Sequence, residues 1–150
     1  MQPAKSNFDS VKQFHEFFGI GYEGGPRQLP PELKWRDDFL LEELNELKEA
    51  RESGDLAKQF DALIDMVYVA LGTAYLQGFP WQRGFLEVHL ANMEKRRAVD
   101  GEGRGTNDIR KPDGWKAPDI ERVLHTHTVQ FEEREKAIAA GTYDRDSRVV

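Results

Sequence analysis

The sequence of 150 residues contains no cysteine, which excludes disulfides and thiolate metal ligands. It has no apolar run near the roughly 20 residues that span a bilayer. Its N-terminal stretch MQPAKSNFDS lacks the apolar core of a secretion signal. A soluble protein of the cytoplasm, with no membrane partner, is the expectation. An excess of basic residues is also missing. The formal net charge is −6, which disfavours a nucleic-acid polymer as partner, because binding serial phosphates needs a basic footprint. A small phosphorylated ligand is not excluded, since acids that hold Mg²⁺ attract a triphosphate through the metal. Sustained β-alternation, internal repeats and low-complexity tracts are absent as well.

What remains is helical periodicity, and it predicts an all-α protein, a four-helix-type bundle in one domain over residues 1–150. The core is expected at about 8–120, with a helical extension at about 117–140. Ser6 or Asp9 caps a first helix, FDSVKQFHEFF, with an apolar stripe of Val11, Phe14, Phe17 and Phe18. GIGYEGGPRQLPP breaks it. Gly19, Gly21 and Gly24 fit the spacing of a dinucleotide fingerprint, but a helix precedes them where that motif needs a strand, so a connecting loop is expected. Pro31 opens a second helix reaching Ser53-Gly54, and Asp55 caps a third ending at Gly78. Pro80 opens a fourth, WQRGFLEVHLANMEKRR. Val99 to Asp113 reads as a loop, APDIERVLHTHTVQFEEREKAIAAG as one or two helices, and TYDRDSRVV as a frayed end.

Two stretches carry the chemistry. On the second helix Phe39, Leu40, Leu44, Leu47 and Ala50 form an apolar arc. Glu43 falls near the middle of that arc, while Glu46 and Glu42 lie at its edge and Glu49 and Glu52 outside it. On the third helix, FDALIDMVYVALG places Asp61 and Asp65 four residues apart on one face, in a segment expected to be buried nearly all round. A desolvated lone carboxylate is costly, and carboxylates facing one another across two helices repel. They need a cation. Arg36 or Lys58 would serve as ion-pair partners in a purely structural reading. A di-iron centre would need a Glu-x-x-His pattern that His15, His89, His125 and His127 do not supply. An all-oxygen ligand set points to a hard ion, Mg²⁺ with Mn²⁺ as substitute.

LLEELNELKEA, GDLAKQFDALIDMVYVALGTA and EVHLANMEKRR together resemble the MazG-like all-α nucleoside triphosphate pyrophosphohydrolases, in the short single-domain form common in phages and bacteria. The family pattern is EExxE on one helix and ExxD on the next. Glu42, Glu43 and Glu46 match the first half, and Asp65 matches the last position. The ExxD glutamate is replaced by Ala62, with Asp61 one residue earlier, which leaves the number of metal ions open.

The resemblance implies Mg²⁺-dependent cleavage of a (deoxy)nucleoside triphosphate between its α and β phosphates, giving the monophosphate and pyrophosphate. It implies metal ligation by Glu43, Glu46 and Asp65, with Asp61 as a further ligand or supporting acid. Glu42 and Glu43 are the catalytic candidates, Glu42 to orient the attacking water or act as base. Asn92, Lys95, Arg96, Lys111 and Trp115 are the candidate nucleotide contacts. Asn92 and Lys95 are expected three residues apart on one helix face, and Trp115 either to stack on a base or to pack against the bundle. The phage-like form points toward purine, particularly guanine, deoxynucleotides such as dGTP, acting in the host cytoplasm if phage-encoded. An over-apolar third helix predicts self-association as a dimer or tetramer. The competing class is a non-catalytic helical oligomerisation module whose acids form structural ion pairs; Mg²⁺-dependent release of pyrophosphate separates the two.

Overall fold

The computed structural model describes residues 6–99, 103–105 and 107–143. Residues 100–102 and 106 of the expected loop, and the expected frayed end from residue 144, lie outside the described residues. The chain packs as two units, Met1–Trp81 and Gln82–Val150.

The first unit begins with α1 (Asn7–Phe17), capped by the Ser6 hydroxyl, which accepts from the Asp9 amide. Gly19, in the left-handed region at φ +68°, turns the chain out of it. The following loop is tied back onto the unit: the Tyr22 amide donates to the Tyr75 hydroxyl at 3.1 Å, and Arg27 Nε donates to the Leu76 carbonyl at 3.0 Å. The glycine-rich stretch is thus a connecting loop, as its preceding helix requires. A 3₁₀ turn at Pro31–Leu33 then leads into α2 (Trp35–Glu52). After Gly54, at φ +72°, Asp55 accepts from the Lys58 amide and starts α3 (Leu56–Leu76).

The two long helices form an antiparallel hairpin. Gln59 Nε2 donates to the Ala50 carbonyl beside the turn, and Arg36 at the far end of α2 donates to Val69 and Thr73 of α3. Leu47 and Ala50 from α2, and Ala62, Val69, Leu71 and Ala74 from α3, are buried. Small residues let the helices approach closely. A methyl group at Gly72 would lie 2.6 Å from Arg36 Nη2 and 2.8 Å from His15 Cε1, so this helical glycine is kept for space and not for backbone freedom.

Two expectations for this unit are corrected. Val11 is buried and contributes to the core of α1, but Phe14, Phe17 and Phe18 of its predicted stripe are exposed; the polar His15 is buried instead. And α3 is not buried all round. Leu56, Phe60, Leu63 and Val67, spaced four, three and four residues apart, leave an apolar stripe open along it, with Phe60 68% exposed. Two helices and a loop do not enclose a third.

The second unit contains most of α4 (Trp81–Met93), strands β1 (Arg96–Arg97) and β2 (Ile109–Arg110), and α5 (Ile120–Ala139). The antiparallel ladder sets Arg96 opposite Arg110. This corrects the fourth helix, which stops at Met93, so Lys95 and Arg96 lie past its end; Lys95 only turns back on Asn92 through its amide. Beyond the helix end, Asp108 holds the following segment. Asp108 accepts from the Arg104 amide and side chain, and its carbonyl takes the Ala98 amide. A single helix, α5, follows, capped by Asp119, and Arg122 pairs with Glu87 of α4 at 3.0 Å. No helix among the described residues is long and apolar enough to cross a membrane.

Candidate active site

Glu43 sits where α2 faces α3, on the side it shares with Leu47 and Ala50. It is only 6% exposed. Its Oε2 has no hydrogen-bond partner, the one buried side-chain oxygen or nitrogen so placed among the described residues. Burial raises the Glu43 pKa above the ordinary glutamate range, and the charges of Asp65, Glu46, Glu42 and Asp61 raise it further, in that order. Four acids from two helices thus act on one buried carboxyl. Asp65 is half-buried, whereas Glu42, Glu46 and Asp61 are exposed.

None of these five acids has an ion-pair partner among the described residues. The structural reading that paired them with Arg36 or Lys58 is therefore corrected. Arg36 is buried, but Nε donates to Thr73 Oγ1 at 2.9 Å and Nη2 to the Val69 carbonyl at 3.1 Å. Its guanidinium lies 5.3 Å from the Trp35 ring. No three His, Asp or Glu side chains among the described residues are already arranged to ring a metal ion. The donor chemistry nevertheless fits a hard divalent cation: oxygen ligands only, uncompensated charge, and a buried oxygen with nothing to bind.

On its outer side α2 carries an open groove lined by Asp38, Leu41, Glu42, Asn45, Glu46 and Glu49. Asp38, Glu42, Asn45 and Glu49 recur at helical spacing along one face.

The cationic candidates belong to the second unit. Trp115 is half-buried, and its Nε1 donates to the Ala91 carbonyl at the end of α4 at 2.7 Å. Lys111 and Lys95 approach the same ring, at 4.4 and 5.3 Å from its centroid. The structure thus brings Lys95, Lys111 and Trp115 together. Asn92 is exposed on α4, and Arg96 lies on β1 opposite Arg110. Packing, not an open stacking face, accounts for Trp115 as it stands. The charge is divided unevenly along the chain: residues 1–81 hold 8 Lys or Arg against 14 Asp or Glu, and residues 82–150 hold 13 of each.

A family model matches residues 11–92, and with the helical fold it defines the class: an all-α hydrolase acting on pyrophosphate bonds of nucleotides. The chain belongs to the phosphoribosyl-ATP pyrophosphohydrolase family, a member of the MazG-like superfamily, in agreement with the resemblance carried by its two acidic helices. All five acids lie within the matched residues and Asn92 is the last of them; Lys95, Arg96, Lys111 and Trp115 lie beyond. No curated protein matches the chain.

Proposed function

We propose that the protein is a divalent-metal-dependent pyrophosphohydrolase that cleaves a nucleoside triphosphate or related nucleotide between the α and β phosphates, releasing pyrophosphate. The observation that carries this reading is the Glu43 carboxyl, buried, unpartnered and crowded by four other acids. Such an arrangement is costly in itself and is balanced by a cation. Glu43, Glu46 and Asp65 would hold Mg²⁺, or Mn²⁺ in its place, with Asp61 as a further ligand or a supporting acid. When bound, the ion supplies neutralisation of the phosphate charge and Lewis acidity at the phosphoryl group. Glu42, solvent-facing on the turn that carries Glu43, is the residue to orient the attacking water and take its proton. Lys95 and Lys111, gathered on Trp115, together with Arg96 and Asn92, are the donors for the outer phosphates.

For the substrate, the phage-like short form favours a purine deoxynucleotide such as dGTP, and the family's description adds phosphoribosyl-ATP. The open apolar stripe of α3 supports pairing with a second copy of the chain, as a dimer or within a tetramer. The test is pyrophosphate release from the eight common NTPs and dNTPs and from phosphoribosyl-ATP, with Mg²⁺ and with EDTA. Metal-dependent release from at least one is expected. Equal release in EDTA, or release of orthophosphate alone, defeats the proposal.

A further inference from the structure

Arg36 is the buried cation among the described residues of the first unit, 6% exposed, and it is not used to neutralise an acid. Its partners are neutral: Thr73 Oγ1, the Val69 carbonyl and, through the ring, Trp35. Thr73 Oγ1 itself donates to the Val69 carbonyl at 2.8 Å, so donor and acceptors close on one another. Gly72 leaves the space the guanidinium fills, and His15 of α1 lies against the same spot. A well-packed apolar residue would fill this space at lower desolvation cost, and what it would lack is direction. Helix faces built from Leu and Ala pack nearly as well in several registers; a two-bonded planar fork accepts one.

That register matters for the carboxylates. Arg36 and Glu43 lie seven residues apart on one face of α2, and Val69 lies one turn beyond Asp65 on α3. The Arg36 bonds therefore close the hairpin two turns from the point where the two acidic faces meet. With no cation bound, repulsion among Glu43, Asp65, Glu46, Glu42 and Asp61 pushes those faces apart. A remote clasp opposes that push.

We infer that Arg36 is a positioning residue: clasped by Thr73 and Val69 over Gly72, it fixes α2 against α3 and holds Glu43 opposite Asp65 before a cation arrives. This rests on the metal-holding role proposed above for those acids. It also makes a prediction opposite in sign to simple electrostatics. A positive charge near a cation site repels the cation, so removing it should tighten metal binding; removing a clasp should loosen it.

The experiment is Mn²⁺ titration followed by electron paramagnetic resonance, without nucleotide, on the wild-type chain and on Arg36→Met, Arg36→Lys and Thr73→Val, each checked for cooperative unfolding. Thr73→Val keeps the shape and the arginine charge and removes only the hydroxyl, with its bonds to Arg36 and to the Val69 carbonyl, so it serves if Arg36→Met does not fold. Arg36→Lys keeps the charge, yet one ammonium cannot reproduce the fork. The expected result is Mn²⁺ affinity about tenfold to a hundredfold weaker in every folded variant, the range seen when groups that orient ligands are lost. Unchanged or tighter binding, with only a lower unfolding temperature, overturns the inference and leaves Arg36 a structural residue. If the wild-type chain itself binds no Mn²⁺, the proposed metal site fails, and this inference falls with it.

Discussion

Asp65 on α3 is the strongest charged influence on the buried carboxyl of Glu43 on α2, ahead of the two glutamates on Glu43's own helix. The hairpin therefore presses like charges together across its interface, where a fold selected for stability alone would separate them. That tension has measurable consequences.

Replacing Glu43 with Gln removes the unpartnered charge and keeps its volume. In EDTA at pH 8 the variant should unfold a few degrees above wild type, since 1 kcal/mol corresponds to roughly 2–4 °C for a chain of this size. Saturating Mn²⁺ should reverse the order, because ligand binding stabilises only the protein that holds the ion. Calorimetry in the two buffers checks both halves. A variant less stable than wild type in EDTA would show that Glu43 has a favourable partner.

Asp65→Asn should abolish turnover while leaving the fold intact. Asp61→Asn separates two roles: a loss as complete as that of Asp65→Asn means that Asp61 has taken over from the glutamate missing at Ala62, and a partial loss means that it only supports the ligands. Steady-state pyrophosphate release with circular dichroism as the folding control gives the comparison. Full Mg²⁺-dependent activity in Asp65→Asn would remove it from the site.

His15 supplies a pH dependence. Its Nδ1 lies 2.8 Å from the Val11 carbonyl, and burial, with the Arg36 charge adding to it, lowers the pKa below the ordinary value of 6.5. The folded state thus favours the neutral ring. Its contribution to stability is fully present above about pH 6.5 and is lost as the pH falls through the lowered value. In a His15→Gln variant the acid limb of the stability curve should be shallower by up to one proton's worth. Urea unfolding between pH 7.5 and 5 measures it; identical limbs would contradict the assignment.

Phe60→Asp places a charge in the middle of the exposed α3 stripe without touching the core. Sedimentation should find the wild type above the 17.3 kDa of one chain and the variant at it, both folded. A wild type that sediments as a single chain at micromolar concentration rules out the pairing.

Much of this was legible in the sequence, for local reasons. Ser6 and Asp55 announce their helices because a cap is a contact over three residues. Glu43 reads as inward because its angular position falls inside an apolar arc. What escaped depended on remote partners. Lys95 and Arg96 are good helix formers, yet Arg96 lies in a strand paired with Arg110, fourteen residues on. An apolar stripe at 56, 60, 63 and 67 looks alike whether the same chain covers it or not. Charge alone pairs Arg36 with the acids, yet its partners are a threonine hydroxyl and a backbone carbonyl, and a carbonyl acceptor is present in every helix.

Gly72 carries a consequence for how this sequence can change over time. In a helix interior, alanine is favoured over glycine by about 1 kcal/mol when the methyl group has room. Here it has none while Arg36 and His15 are in place. The same substitution should therefore harm the present chain, and it gains room only where residues 15 and 36 have both been shortened. Positions 15, 36 and 72 are bound by history: a lineage brings a larger residue to position 72 only after changing both of the side chains that crowd it.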